Sequence, residues 1–143
     1  MKTLYIVRGL PGSGKSTYAK SLGIPHFEAD MYFMKDGVYV FDTKKLNSAH
    51  NWCWNQVANT NGQGTHTSES FAISNTSTTL KEFKHYIELG RTYGFKIVIV
   101  DVKTAYGTIH GVPEATMEKM RNRWQDVPPE YYDELITIDK PSE

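Results

Sequence analysis

Apolar residues fall along this chain in short runs of two kinds. Leu4-Tyr5-Ile6-Val7 and Phe95-Lys96-Ile97-Val98-Ile99-Val100-Asp101 are nearly continuous, the pattern of strands buried on both faces. Ile24-Pro25-His26-Phe27-Glu28-Ala29-Asp30 and Ser70-Phe71-Ala72-Ile73 read as further short strands, and Leu135-Ile136-Thr137-Ile138 as a candidate last one. The intervening segments have helical spacing. Leu46, Ala49, Cys53 and Val57 lie on one face of a helix from about Lys44 to Ala58, capped by Asp42 or Thr43. Leu80, Phe83 and Ile87 do the same for a helix that Thr78 or Thr79 caps and that runs to about Leu89, with Gly90 or Gly94 near its end. Tyr18-Ala19-Lys20-Ser21-Leu22 reads as a short helix closed by Gly23 and Pro25. Pro113 opens a helix with Glu114 and Glu118 near its positive end, Met117, Met120 and Trp124 facing inward, and Pro128-Pro129 ending it. Met31 to Gly37 is a loop or short helix, and Val38-Tyr39-Val40-Phe41 is too brief to assign. Strands alternating with helices predict an α/β fold with a parallel sheet of four to five strands and helices on both faces. The ligand cleft of such a sheet lies at the carboxyl ends of its strands. Gly9, Asp30, Ser74 and Asp101 all fall at or just past such ends.

Composition narrows the class. With 143 residues the chain is expected to form one domain, residues 1–143. Lys plus Arg and Asp plus Glu are 16 each, which argues against a broad basic surface for non-specific nucleic-acid binding but not against a transient substrate. The one cysteine, Cys53, sits on the apolar helical face and reads as core. No apolar run reaches the roughly 18 residues of a membrane span. The N-terminus enters a strand with no leader pattern, so a cytoplasmic location is expected. Asn59 to Gly64 is a polar connection within the domain, not a linker.

Gly9-Leu10-Pro11-Gly12-Ser13-Gly14-Lys15-Ser16-Thr17 carries the chemistry. It fits the phosphate-loop pattern G-x-x-x-x-G-K-[ST] in the required context of strand, loop and helix. Glycines let successive backbone N–H groups face one concavity, and the helix that follows adds its positive end. Lys15 would reach the β/γ-phosphates of a nucleoside triphosphate such as ATP, and Ser16 would hold Mg²⁺ through its hydroxyl. Asp30 follows its strand directly, placed to accept the proton of an attacking hydroxyl, to order Mg²⁺ through water, or to cap the next turn.

The series of parts resembles the phage polynucleotide 5′-kinase domain and the small AAA-type P-loop kinases similar to it. The matching stretches are Gly9–Thr17, Ala29-Asp30-Met31-Tyr32-Phe33, Gly37 to Asp42 through Ala49-His50, Ile73-Ser74-Asn75-Thr76-Ser77, and His110-Gly111-Val112-Pro113 through Met120 and Trp124. Together they span most of residues 3 to 126. The resemblance implies a P-loop kinase fold and transfer of the γ-phosphate of ATP to a hydroxyl, with the 5′-hydroxyl of a polynucleotide or nucleotide as acceptor. It makes Asp30 the general base beside Lys15 and places Asn75 near the acceptor. Tyr32, Trp52 and Trp54 are candidates for stacking on a base. The chain departs from the family in its lid. Val102 to His110 contains no arginine, where the family carries arginines that clamp the transferring phosphate. Lys103, His110, Arg121 or Arg123 would have to substitute. The alternatives are a small-molecule kinase, which the neutral charge favours, and an ATP-binding module without transfer activity because the lid arginine is missing.

Overall fold

The computed structural model describes residues 2–60, 70–103 and 113–139. Its central strand, β1 (Thr3–Arg8), feeds the phosphate loop and α1 (Lys15–Ser21). There follow β2 (His26–Phe27), a hairpin of β3 (Met34–Lys35) and β4 (Val38–Tyr39), α2 (Leu46–Thr60), β5 (Phe71–Asn75) and α3 (Leu80–Thr92). β6 (Lys96–Val102), α4 (Glu114–Arg123) and β7 (Glu134–Ile138) complete the chain. The main sheet has five strands in the order β2-β5-β1-β6-β7, every pair parallel. The predicted α/β class and strand count are borne out.

Strand alternation sorts side chains between two cores. Leu4, Ile6, Phe71, Ile73, Ile97 and Ile99 pack with Ala49, Cys53 and Val57 of α2 and with Phe83, Tyr86 and Ile87 of α3. Val7, Ala72, Val98, Val100 and Val102 pack with Ala19 of α1 on the opposite face. Gly90 is a close-approach residue: a Cβ there would lie 2.9 Å from Leu4 and from Ile97, so its absence seats α3 on the sheet. Gly94, at φ +78°, closes α3 with Gly94 N–H to Arg91 C=O and Phe95 N–H to Gly90 C=O, the paired bonds of a left-handed helix stop.

Several elements differ from the pattern. β2 stops at Phe27, and a 3₁₀ turn over Ala29–Phe33 replaces the rest of the expected strand. The cause is Asn75, whose side-chain oxygen accepts the Ala29 N–H at 2.8 Å and so removes it from the ladder. Asp36 and Gly37 have φ of 50° and 82°, which makes residues 34–39 a two-residue hairpin of the Asp-Gly type. Helix α1 begins at Lys15, inside the loop, and α2 is preceded by a 3₁₀ turn over Thr43–Lys45. Leu46, expected on the buried face of α2, is 40% exposed. α4 ends at Arg123, ahead of Pro128-Pro129, because Trp124 and Gln125 leave the helix for other partners described below. The cap of α3 is Thr79, whose N–H the Glu82 carboxylate accepts at 3.4 Å. Residues 61–64 of the polar connection, the lid from 104 to 112 with His110, and residues 140–143 lie outside the described residues.

Candidate functional site

The loop leaves the carboxyl end of β1 between the ends of β5 and β6. Gly12 and Gly14 adopt φ of 82° and 90°, values that favour glycine. Gly9 is required by space, since a Cβ there would lie 2.9 Å from the Val102 carbonyl and closer still to Ser13. The loop is tied by Ser13 N–H to Leu10 C=O at 3.0 Å and Tyr18 N–H to Gly14 C=O at 2.9 Å. Ser13 is buried, and its hydroxyl has no partner. Pro11 and Lys15 are partly buried, whereas Thr17 faces solvent. Burial lowers the pKa of the Lys15 ammonium from its ordinary value, opposed by the charges of Asp30 and Glu28.

That pairing brings in a residue the sequence reading passed over. Ser16 donates its hydroxyl proton to the Glu28 carboxylate at 2.7 Å. Glu28 immediately follows β2, where β2 pairs His26 with Ala72 and Phe27 with Ile73. Glu28 therefore comes beside Ser74 on the α1 face of the sheet. Ser74 is 1% exposed, and its hydroxyl too lacks a partner. The sequence signal was a second acid two positions before Asp30, on the same side of the expected strand; the 3₁₀ turn that begins at Ala29 is what sends the two acids apart. Buried, unpartnered hydroxyls beside Ser16 fit a bound triphosphate with Mg²⁺.

Asp30 sits elsewhere on the rim. It is exposed, inside the 3₁₀ turn and not its cap, and accepts a hydrogen bond from the Tyr39 hydroxyl at 3.2 Å. Tyr39 is pushed up to about 12, first by burial and then by the Asp30 charge. Asn75 is buried, with its oxygen on Ala29 N–H and its Nδ2 3.9 Å from Cys53 Sγ. It thus holds the turn that carries Glu28 and Asp30. Tyr32 lies edge-on to Phe33 at 5.5 Å and 6.3 Å from Trp52, and Trp54 packs on His85 and Tyr86. Cys53 is fully buried, and burial pushes its thiol up, as suits a core residue.

Two other strand-end residues form a clamp. Arg8, fully buried, pairs with Asp101 at 3.0 Å and also donates to the carbonyls of Ser77, Thr78 and Gln125. Trp124 lies 4.0 Å from its guanidinium and Phe83 4.8 Å. Burial lowers Arg8 and raises Asp101, and each ion counters the other's shift. The 3.0 Å contact marks a charged pair. Arg121 pairs with Glu114, and Arg123 Nε donates to the Thr78 hydroxyl at 3.0 Å.

A glycine-lined loop between the central parallel strand and a helix, on a five-stranded α/β sheet, defines a P-loop fold of the kinase type. Residues 4–111 match the family described as an AAA domain, and the chain belongs to that family. Human NEDD4-binding protein 2 is 30% identical over 136 residues, a match covering 85% of this chain and 8% of that protein. The chain therefore spans less than a tenth of that relative's length. A candidate kinase from Chloroflexus aurantiacus j-10-fl superposes with a TM-score of 0.69 at 17% identity, over 96% of this chain and 88% of that one. A gluconokinase from Sinorhizobium meliloti 1021 superposes with a TM-score of 0.53 at 16% identity, over 96% and 82%. At that identity the two structures establish the shared fold.

Proposed function

We propose that this protein is a Mg²⁺- and ATP-dependent kinase that transfers the γ-phosphate of ATP to a hydroxyl, the acceptor being the 5′-hydroxyl of a polynucleotide or nucleotide. The observation that carries this reading is Asp30, an exposed carboxylate gripped by Tyr39 and close enough to Lys15 for their charges to interact. An acid so placed can take the acceptor's hydroxyl proton as the acceptor oxygen bonds to the γ-phosphorus and the bond to the β–γ bridging oxygen breaks, leaving ADP. Lys15 would steady the β/γ-phosphates, and Ser16 would hold Mg²⁺, which when bound neutralises charge across those phosphates. Tyr32 borders the acceptor side in this reading, with Asn75 holding the turn from beneath. The polynucleotide acceptor rests on the resemblance of the ordered motifs.

The test is transfer of label from γ-labelled ATP to 5′-hydroxyl oligonucleotides, beside Lys15→Ala and Asp30→Asn. Wild type is expected to label the oligonucleotide, and each variant to lose at least about a hundredfold in rate, the scale of one general-base or phosphate contact. Label passing only to small polyols or nucleosides would make it a small-molecule kinase. A second reading, a nucleotide-binding module without transfer, is favoured by one observation: Arg121 and Arg123, which would replace the missing lid arginine, have partners within the fold. Wild-type labelling no higher than that of Lys15→Ala with every acceptor would establish that second reading.

A further inference from the structure

Two acids stand at the end of β2, and their surroundings differ. Asp30 is exposed and faces the hairpin through Tyr39. Glu28 is turned to the α1 side, where it accepts the Ser16 hydroxyl proton at 2.7 Å. A serine that gives its proton to a carboxylate keeps its lone pairs for a cation. Ser74, beside Glu28 by the ladder register, points a buried hydroxyl without a partner to the same face. His26 Nε2, 4.0 Å from the same Glu28 oxygen, is also without a hydrogen-bond partner. These polar groups are only partly satisfied by the protein itself, and Glu28 is the carboxylate that Ser16 and His26 approach.

We propose that Glu28 is the outer carboxylate of the Mg²⁺ site, fixing the Ser16 hydroxyl and accepting hydrogen bonds from the metal's water ligands, while Asp30 serves the acceptor side alone. The assignment rests on the nucleotide-kinase reading above and divides the two acids between metal and acceptor. Mg²⁺ keeps several waters and is held by few protein groups together with substrate phosphates. A carboxylate that orients the Ser16 ligand from behind then adds to metal affinity, and removing such a partner typically costs 10–100-fold. A plain counter-ion to Lys15 would behave differently, because its loss would alter nucleotide binding equally with and without metal.

The experiment measures the affinity of a fluorescent ATP analogue with Mg²⁺ and with EDTA, and of Mn²⁺ alone by its paramagnetic signal, for wild type, Glu28→Gln and Asp30→Asn. Wild type is expected to bind the nucleotide more tightly with metal. Glu28→Gln is expected to lose about tenfold or more of that metal-dependent gain, with EDTA affinity unchanged or higher because a negative charge leaves the neighbourhood of the triphosphate. Asp30→Asn keeps the gain. Glu28→Asp, which retains the charge but withdraws it by one methylene, loses part of it, and supplies the answer if the glutamine variant does not fold. A Glu28→Gln protein with the wild-type gain, or with equal loss in both conditions, overturns the assignment. Loss of the gain in Asp30→Asn alone overturns it too. A folded wild type that binds no nucleotide in either condition sinks the triphosphate reading and this assignment with it.

Discussion

Arg8 spends its donors entirely inside the protein. Its four hydrogen bonds go to Asp101 and to the carbonyls of Ser77, Thr78 and Gln125. A buried charge is tolerable only when paired and fully bonded, and here one guanidinium ties the end of β1 to β6, to the β5–α3 connection and to the chain after α4. Its location directly before Gly9 makes it the footing of the phosphate loop. A lysine carries a point charge with three donors and cannot match the planar fork or its contacts with the rings of Phe83 and Trp124. Arg8→Lys is expected to destabilise the fold by about 2–3 kcal/mol, at roughly 1 kcal/mol for each carbonyl left without a donor. Urea unfolding reads this as a lower midpoint at unchanged slope. A change below about 0.5 kcal/mol, the range of an ordinary surface substitution, would show that the clamp is not what holds these segments.

The hairpin β3–β4 is the element that reaches from the edge of the fold to the candidate base. Its turn needs positive φ at Asp36 and Gly37, and its register puts Tyr39 opposite Met34. Tyr39 thereby reaches Asp30, while its ring stacks on Phe41 at 6.3 Å and an interplanar angle of 10°. Tyr39→Phe is expected to leave the melting temperature nearly unchanged, because the bond is exposed, and to slow transfer about tenfold by loosening Asp30, the equivalent of ~1.4 kcal/mol for a hydrogen bond to a charged group. Nucleotide affinity should not change. Gly37→Ala should reproduce the kinetic loss through backbone strain of about 1–2 kcal/mol, since its site has open space and no clash to offer. Equal kcat in wild type and Tyr39→Phe would remove Tyr39 from the site. The hairpin was legible in principle, for Asp36-Gly37 between two short apolar runs is a strong turn signal; strands of two residues each hid it. The faces of α2 and α3 and the strands β1 and β6 were legible because burial repeats at their own periods. The early end of β2 was not, because Asn75, 46 residues away, takes the backbone donor that would have continued it. Nor was the choice between Glu28 and Asp30, which depends on where the ladder stops.

Across the whole sheet, alternation at the strand ends divides the polar residues by role. Arg8, Asn75 and Asp101 follow Ile6, Ile73 and Ile99 by two positions and so share the α2–α3 face, where all three are buried in internal bonds. Ser74 and Glu28 belong to the α1 face, the side of the loop, and there the unpartnered hydroxyls collect. Charge follows the same economy. Sixteen cations balance sixteen anions, one of those cations is fully buried as Arg8, and Lys15 is turned into the loop. No net excess is left over to track a long phosphate backbone. Each phosphate neutralised on a single strand adds about 0.7 to the slope of log affinity against log salt. Transfer to oligonucleotides is therefore expected to show a slope in log KM against log salt of about 1.4 or less, the equivalent of one or two phosphates. KM should change by less than about threefold between a trinucleotide and a twenty-residue strand, because a neutral total leaves no basic track for the extra phosphates. Steady-state kinetics at 50 to 300 mM salt on the two lengths decides it, those conditions spanning the range where counterion release is steep. A slope of about 3 or more, with tighter binding of the longer strand, would mean that a basic track exists despite the neutral total, and the acceptor would then be a polymer held along its length.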